Sequence, residues 1–216
     1  MYNEDGTGEL TGFEVEVAKQ IASRLGVEPD FQISDSWDPV LAGLDAGRYD
    51  IMVNGVDITP ERAEKYDFST PYAFNRTAVI TKADDDSINT LEDLKGKKTA
   101  NTISSTYAEL AEQYGATVTG VDDLNQTFEL LLSGRIDATL NAEMTFYDYT
   151  KEHPDANVKI AVLTDDANRI AIPMRKGDET AALRTAIDAA IDELRADGTL
   201  KALSEKYFGR DISTEE

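Results

Sequence analysis

Apolar residues recur along the chain in two periods, and the alternation between them lays out the elements. Phe13, Val15, Val17-Ala18, Ile21-Ala22 and Leu25 fall at near-helical spacing, and Gly26 is placed as the glycine that ends that helix. Val27 to Ile33 reads as a strand. Trp37-Asp38-Pro39 then starts a second helix with Val40, Leu41 and Leu44 on its apolar face, ending near Gly47. The short run Ile51-Met52-Val53, bounded by Asp50 and Asn54-Gly55, reads as a buried strand. Thr59-Pro60 predicts a further helix start, with threonine as N-cap and proline at the first helical position, where its missing N–H costs nothing. The β-α-β-α-β order calls for a parallel sheet covered by helices.

The same order repeats further on. Ala78 to Thr81 is a strand, after which Lys82-Ala83-Asp84-Asp85-Asp86-Ser87 is polar and charged enough to be a crossover between lobes. Leu91 to Gly96 reads as a short helix. A second set then begins at Lys97: a strand to Thr102, a helix from Thr106 to Tyr114, a strand from Thr117 to Val121, a helix from Leu124 to Leu132 and a strand from Ala138 to Leu140. Ala161-Val162-Leu163 and Ile170-Ala171-Ile172 read as strands on either side of Thr164 to Asn168, the expected return crossover. Ala182, Leu183, Ala186, Ile187, Ala190, Ile191 and Leu194 make an apolar helical stripe closed by Asp197-Gly198. A last helix runs from Leu200 to Tyr207, and the tail from Arg210 to Glu216 reads as frayed. Two similar α/β units joined by two strands predict two lobes with a cleft and a two-strand hinge.

Composition narrows the function classes. With 42 acidic against 21 basic residues the formal charge is −21, a field that repels nucleic acid and anionic membranes. There is no cysteine, which excludes disulfides and thiolate metal sites. The single histidine, His153, lies in the polar run KEHPDAN and reads as a solvated loop residue. No metal or cofactor is expected. No signal-peptide or transmembrane run stands out in the sequence.

Candidate chemistry gathers after the Ile51 strand. Gly55 lets another group approach the backbone closely. Arg62 follows Pro60 by about half a turn, beside the exposed N–H groups of a helix start. A guanidinium and free amides at a strand's carboxyl end make a carboxylate-sized receptacle; the plainer alternative is an arginine on the surface of a capped helix. In the second half, Ser105 and Thr106 precede Tyr107-Ala108-Glu109, and a helix start with hydroxyls suits an anion. The same letters also spell an ordinary capping box.

Gly47-Arg48-Tyr49-Asp50-Ile51, Ile58-Thr59-Pro60-Glu61-Arg62 and Asp67-Phe68-Ser69-Thr70-Pro71-Tyr72, with LTGFEVEVAKQIASRLGV, LEDLKGKK, LLLSGRIDATLN and LRADGTLKALSEKYFG in order, resemble the family 3 extracellular solute-binding proteins, the polar amino-acid-binding components of ABC importers. The resemblance spans nearly the whole chain. It implies an α/β fold of the periplasmic-binding-protein type II, two lobes with the second inserted into the first: 1–81 with 169–216, and 82–168. It also implies a monomeric extracytoplasmic receptor, closing on a polar amino acid and delivering it to a membrane permease. Family members normally carry a strand before the position of Met1-Tyr2, so lobe 1 is expected to lack it.

The resemblance assigns roles as well. Arg62 would grip the ligand's carboxylate with the amide of Asp57, the carbonyl of Gly55 would face the ammonium, and Ser105 or Thr106 would reach the carboxylate from the second lobe. Trp37 aligns with an aromatic that covers the ligand side chain, against the alternative of a core tryptophan. Phe13 and Tyr72 are taken as scaffold. In Asn141-Ala142-Glu143, Ala142 stands where most members carry the aspartate that holds the ammonium. Asp57 is expected to replace that charge, with Glu143 the weaker substitute; the alternative for Asp57 is a cap on the Thr59-Pro60 helix start. Two other functions use the same scaffold: a cyclohexadienyl or arogenate dehydratase, which needs a general acid in the cleft, and the sensor module of a membrane receptor. N-G-V-D-I-T-P-E-R looks closest to the cystine and polar amino-acid group.

Overall fold

A computed structural model describes residues 3–4, 9–33 and 37–215. In chain order the elements are β1 (Asn3–Glu4), β2 (Leu10–Thr11), α1 (Phe13–Leu25), α2 (Trp37–Asp45), β3 (Val56–Asp57), α3 (Pro60–Lys65), β4 (Tyr66–Phe68), β5 (Ala73–Asn75) and β6 (Thr77–Lys82). A 3₁₀ turn (Leu91–Leu94) leads to β7 (Lys98–Asn101), α4 (Thr106–Gln113), β8 (Thr117–Gly120), α5 (Leu124–Leu132), β9 (Thr139–Ala142), α6 (Glu143–Glu152) and β10 (Val158–Leu163). The chain ends with β11 (Asn168–Ala171), β12 (Pro173–Arg175), α7 (Asp178–Ala196) and α8 (Thr199–Phe208). The elements form two compact units, Met1–Phe74 with Asn168–Glu216, and Asn75–Ala167.

In the first unit α1 ends where the sequence places it, on Gly26 in the left-handed region at φ 70°. Its buried face, Phe13, Val17, Ala18 and Ile21, meets the stripe of α7 (Ile187, Ala190, Ile191, Leu194), and the Phe13 ring lies edge-on to Phe208 with centroids 5.0 Å apart. A second cluster buries Leu44, Met52, Val56 and Tyr66. The strands here are short and pair antiparallel: β11 lies between β3 and β5, and β12 beside β4. They pair this way because the returning segment 168–175 runs back alongside strands laid down earlier in the chain.

The second unit has the expected parallel element. β7 and β8, joined through α4, pair in parallel from Lys98–Thr117 to Asn101–Gly120, and a single parallel bridge links Thr99 to Ala138. β6 runs between β10 and β9, antiparallel to both, and is buried on its two faces. Its alternation separates the core into layers. Ala78 and Ile80 pack with Ala100, Phe128 and Leu131, while Val79 packs with Ile88, Leu94, Ala111 and Leu140.

Several sequence expectations differ from this. Residues 27–33 form no strand: no described strand takes up their backbone groups, and Val27 and Ile33 stay 55% and 48% exposed. Ile51 makes one bridge, to Met174, instead of a strand, so no β-α-β-α-β parallel set is present among the described residues of the first unit. The outgoing crossover lies between Phe74 and Asn75 rather than after Thr81, which puts β6 in the second unit and leaves the polar run at Lys82–Ser87 as a turn, Asp85 accepting from the Ser87 N–H at 2.8 Å. α6 was not anticipated. The tail is not frayed: Ile212 is 1% exposed, and its carbonyl accepts from the Phe74 N–H at 2.7 Å. The expectation that lobe 1 lacks a strand before Met1-Tyr2 falls outside the described residues.

Candidate functional site

The first unit builds its candidate site on the turn after Met52. Gly55 stands at φ 61°, a conformation that glycine adopts without strain, and β3 follows directly. Ile58 donates to Arg169 at 2.9 Å across the β3–β11 pair, so the alternate pair Asp57–Ile170 is non-hydrogen-bonded, and the backbone groups of Asp57 face away from β11. Asp57 is buried at 6% exposure. It does not supply the helix cap: Thr59 does, its hydroxyl accepting from the Arg62 N–H at 3.1 Å with Pro60 in the first helical position.

That cap sets where Arg62 starts. The half-buried side chain sends Nη1 to the Asp57 carbonyl at 3.3 Å, and its guanidinium lies 5.4 Å from the centroid of the Trp37 ring. Arg24 pairs with Asp197, Lys65 with Asp45 and Arg184 with Asp67 in this unit, while among the described residues no carboxylate pairs with Arg62. A guanidinium has five N–H donors in a planar fork, and one of them is engaged with Asp57. Trp37 packs on the Leu44–Tyr66 cluster, the core alternative weighed for it, and carries the Arg62 guanidinium on its ring.

Beneath this turn lies a group that sequence reasoning passed over. Glu14, in the first turn of α1, is 7% exposed, and its carboxylate accepts from the Tyr72 hydroxyl at 2.5 Å and from the Gly55 N–H. The Tyr72 oxygen in turn lies 3.3 Å from the Gly55 nitrogen, which donates to it. Burial pushes the Glu14 carboxyl up from its ordinary range, against the pull of these two hydrogen bonds. Burial also holds the Tyr72 hydroxyl well above its usual value, with the charge of Glu14 next in weight and that of Asp57 adding to it. The sequence signal was slight, an acid next to Phe13 in a helix start, where acids usually face water.

In the second unit, Ser105 is the N-cap of α4: its hydroxyl accepts from the Ala108 N–H at 3.2 Å and donates to the Thr102 carbonyl at 2.6 Å. Its side chain therefore has the capping role, and Thr106 begins the helix. Asn141 pairs with Ala78 in β9, and its Oδ1 accepts from the Ala142 N–H at 2.8 Å. Ala142 opens α6 without a side-chain cap. Glu143, the weaker candidate for the ammonium, is 1% exposed, accepts from the Arg76 N–H at 3.3 Å and lies 3.6 Å from Arg76 Nε, so its carboxylate is engaged within the second unit. Arg62, Asp57, Gly55 and Trp37 thus stand together in the first unit, and Ser105, Thr106, Asn141 and Glu143 belong to the second.

The family model of the bacterial extracellular solute-binding proteins, family 3, matches residues 1–210. The chain belongs to this family. It is 40% identical over 209 residues to a probable amino-acid ABC transporter-binding protein of Haemophilus influenzae, covering 97% of this chain and 80% of that one. It is 38% identical over 212 residues to the L-cystine-binding protein TcyA of Bacillus subtilis, covering 98% and 78%. Among solved structures, an ancestral arginine-binding protein bound to arginine superposes with a TM-score of 0.86 at 36% identity, over 96% of this chain and 92% of that one. The fold is therefore that of the periplasmic-binding-protein-like amino-acid receptors. No described helix of this family 3 chain is long and apolar enough to cross a membrane.

Proposed function

We propose that the chain is an extracytoplasmic receptor that binds a polar α-amino acid unchanged and passes it, as a monomer, to the permease of an ABC importer. The observation that carries this reading is Arg62: a guanidinium shelved on Trp37, one donor fixed to the Asp57 carbonyl, and no described carboxylate as its partner. That fork suits the two oxygens of an α-carboxylate, each charged hydrogen bond contributing about 1.5–3 kcal/mol. The backbone of Asp57, turned away from β11, is placed to assist.

The ammonium falls to Asp57. Asp57 is a buried carboxylate at 6% exposure whose own carbonyl holds Arg62, so it stands beside the guanidinium at the position where the resemblance puts the ammonium's partner. Position 142 is alanine, and Glu143 is engaged by Arg76. Binding rather than catalysis fits this set, since Arg62 and Asp57 answer the two charges of a zwitterion. L-Cystine and L-arginine are the first ligands to try, from the relatives named above.

A thermal-shift screen of the twenty amino acids plus L-cystine tests the proposal. A ligand present at about 100 times its Kd stabilises the folded chain by about 2.7 kcal/mol, and a clear rise in Tm with a polar amino acid, recovered chemically intact, is the expected result. No shift with any of them, or conversion of the ligand, refutes the reading.

A further inference from the structure

The carboxylate of Glu14 is unexplained by the grip on the ligand. It caps nothing: the N-cap of α1 is Gly12, with no side-chain hydrogen bond. It is also a poor stabiliser. Taking a carboxylate out of water costs several kcal/mol, and apolar replacements of buried charges are often neutral or favourable. What the carboxylate does have is geometry. It joins the Tyr72 hydroxyl, 58 residues further along the chain, to the Gly55 N–H, in the turn that delivers β3. A Cβ at Gly55 would lie 3.6 Å from Glu14 Oε1, so this acid packs directly on the left-handed turn.

We propose that Glu14 is a positioning residue for the ligand, acting through Tyr72 and the Gly55 N–H to fix the turn that aims Asp57 and, through the Asp57 carbonyl, the guanidinium of Arg62. Every link is a contact within one unit: Glu14 to Tyr72 at 2.5 Å, Tyr72 to Gly55 at 3.3 Å, two peptide bonds on to Asp57, and Asp57 to Arg62 at 3.3 Å. The proposal rests on reading Arg62 and Asp57 as ligand groups. It adds that their aim is set from beneath by an acid that touches no ligand. Misplacement of such groups by a fraction of an ångström weakens binding even where the fold is intact.

The test is Tyr72→Phe, which removes the hydroxyl between Glu14 and Gly55 and keeps the ring packed against Phe13, at 6.2 Å between centroids. Glu14→Gln and Glu14→Leu accompany it, the first keeping one acceptor and the second none. Calorimetry with L-cystine and with L-arginine gives Kd, and thermal melts of the unliganded chains give Tm. Tyr72→Phe is expected to weaken binding by about tenfold or more, with Glu14→Leu losing at least as much and Glu14→Gln losing less than Glu14→Leu. Tm does not follow that order, because Glu14→Gln and Glu14→Leu both remove a buried charge, whereas Tyr72→Phe leaves it buried and takes away a donor. A folded Tyr72→Phe with unchanged Kd overturns the proposal, as does a Tm loss without an affinity loss; should Glu14→Leu not fold, Tyr72→Phe and Glu14→Gln decide. A wild-type chain that binds no amino acid overturns the receptor reading itself, a result distinct from a binding wild type with an indifferent Tyr72→Phe.

Discussion

Replacing Arg62 by lysine separates the two things that side chain does. In the unliganded protein Arg62 makes one hydrogen bond of 3.3 Å to the Asp57 carbonyl and lies 5.4 Å from the centroid of the Trp37 ring. The first contributes about 1 kcal/mol and the second about 0.5–1 kcal/mol. Lysine keeps the positive charge, the apolar stem over Trp37 and part of the cation–π attraction, so stability falls by no more than about 1–2 kcal/mol. Toward a carboxylate the change is larger. An ammonium cannot form the two parallel N–H···O bonds of a fork, and losing one charged bond costs about 1.5–3 kcal/mol, or about ten- to a hundredfold in Kd. Calorimetry on Arg62→Lys, with urea unfolding of the unliganded chain alongside, reads both quantities. A Kd that stays within about threefold of wild type shows that no carboxylate is held by the fork, whatever happens to stability.

Other outcomes follow from separate parts of the chain. Asp57→Asn, at a position 6% exposed, weakens binding of free α-amino acids by about tenfold or more through loss of a charged hydrogen bond, with a smaller effect on the unliganded melting temperature; unchanged affinity by calorimetry removes Asp57 from the ammonium site. Asp197, hydrogen-bonded by Thr199 and paired with Arg24 at 2.6 Å, has its pKa lowered to about 2 from 3.8. A depressed acid stabilises the fold above its unfolded pKa and loses that contribution as pH falls through the folded one. Asp197→Asn therefore lowers Tm at neutral pH, and the difference from wild type closes between about pH 4 and pH 2; a gap that persists at pH 2 contradicts the pairing. Ile212→Ala, cut into a side chain 1% exposed, costs about 2–5 kcal/mol in chemical unfolding, whereas a loss below about 0.5 kcal/mol, typical of exposed sites, shows that the tail does not pack as described.

What the sequence made legible was mostly local. Thr59-Pro60 cap α3, and Gly26 ends α1 in the left-handed region, because each choice is made by neighbouring residues. The apolar stripe of α7 was equally plain. Alternation alone misled at 27–33, since a strand needs a neighbour to accept its hydrogen bonds and pattern does not supply one. α6 was hidden because its run EMTFYDYTKE has modest helix propensity and opens on Ala142, a residue with no capping group. At the site, Arg62 and Trp37 came from motif and spacing, yet their contact is tertiary. Asp57 was preferred to Glu143 from the sequence, but the contact that engages Glu143, with Arg76, is tertiary and was not legible there. Glu14 was least legible of all. An acid in the first turn of an amphipathic helix suits the dipole and ordinarily faces water; its burial follows from Tyr72 and Gly55, far along the chain.

The account stands on the guanidinium of Arg62 gripping an amino acid, and a crystal structure grown with the amino acid that gives the largest thermal shift tests it directly. The expected map has the α-carboxylate in a bidentate fork with Arg62 over the Trp37 ring, and the ammonium within hydrogen-bond reach of Asp57. A ligand bound elsewhere, or one whose carboxylate leaves Arg62 untouched, contradicts it.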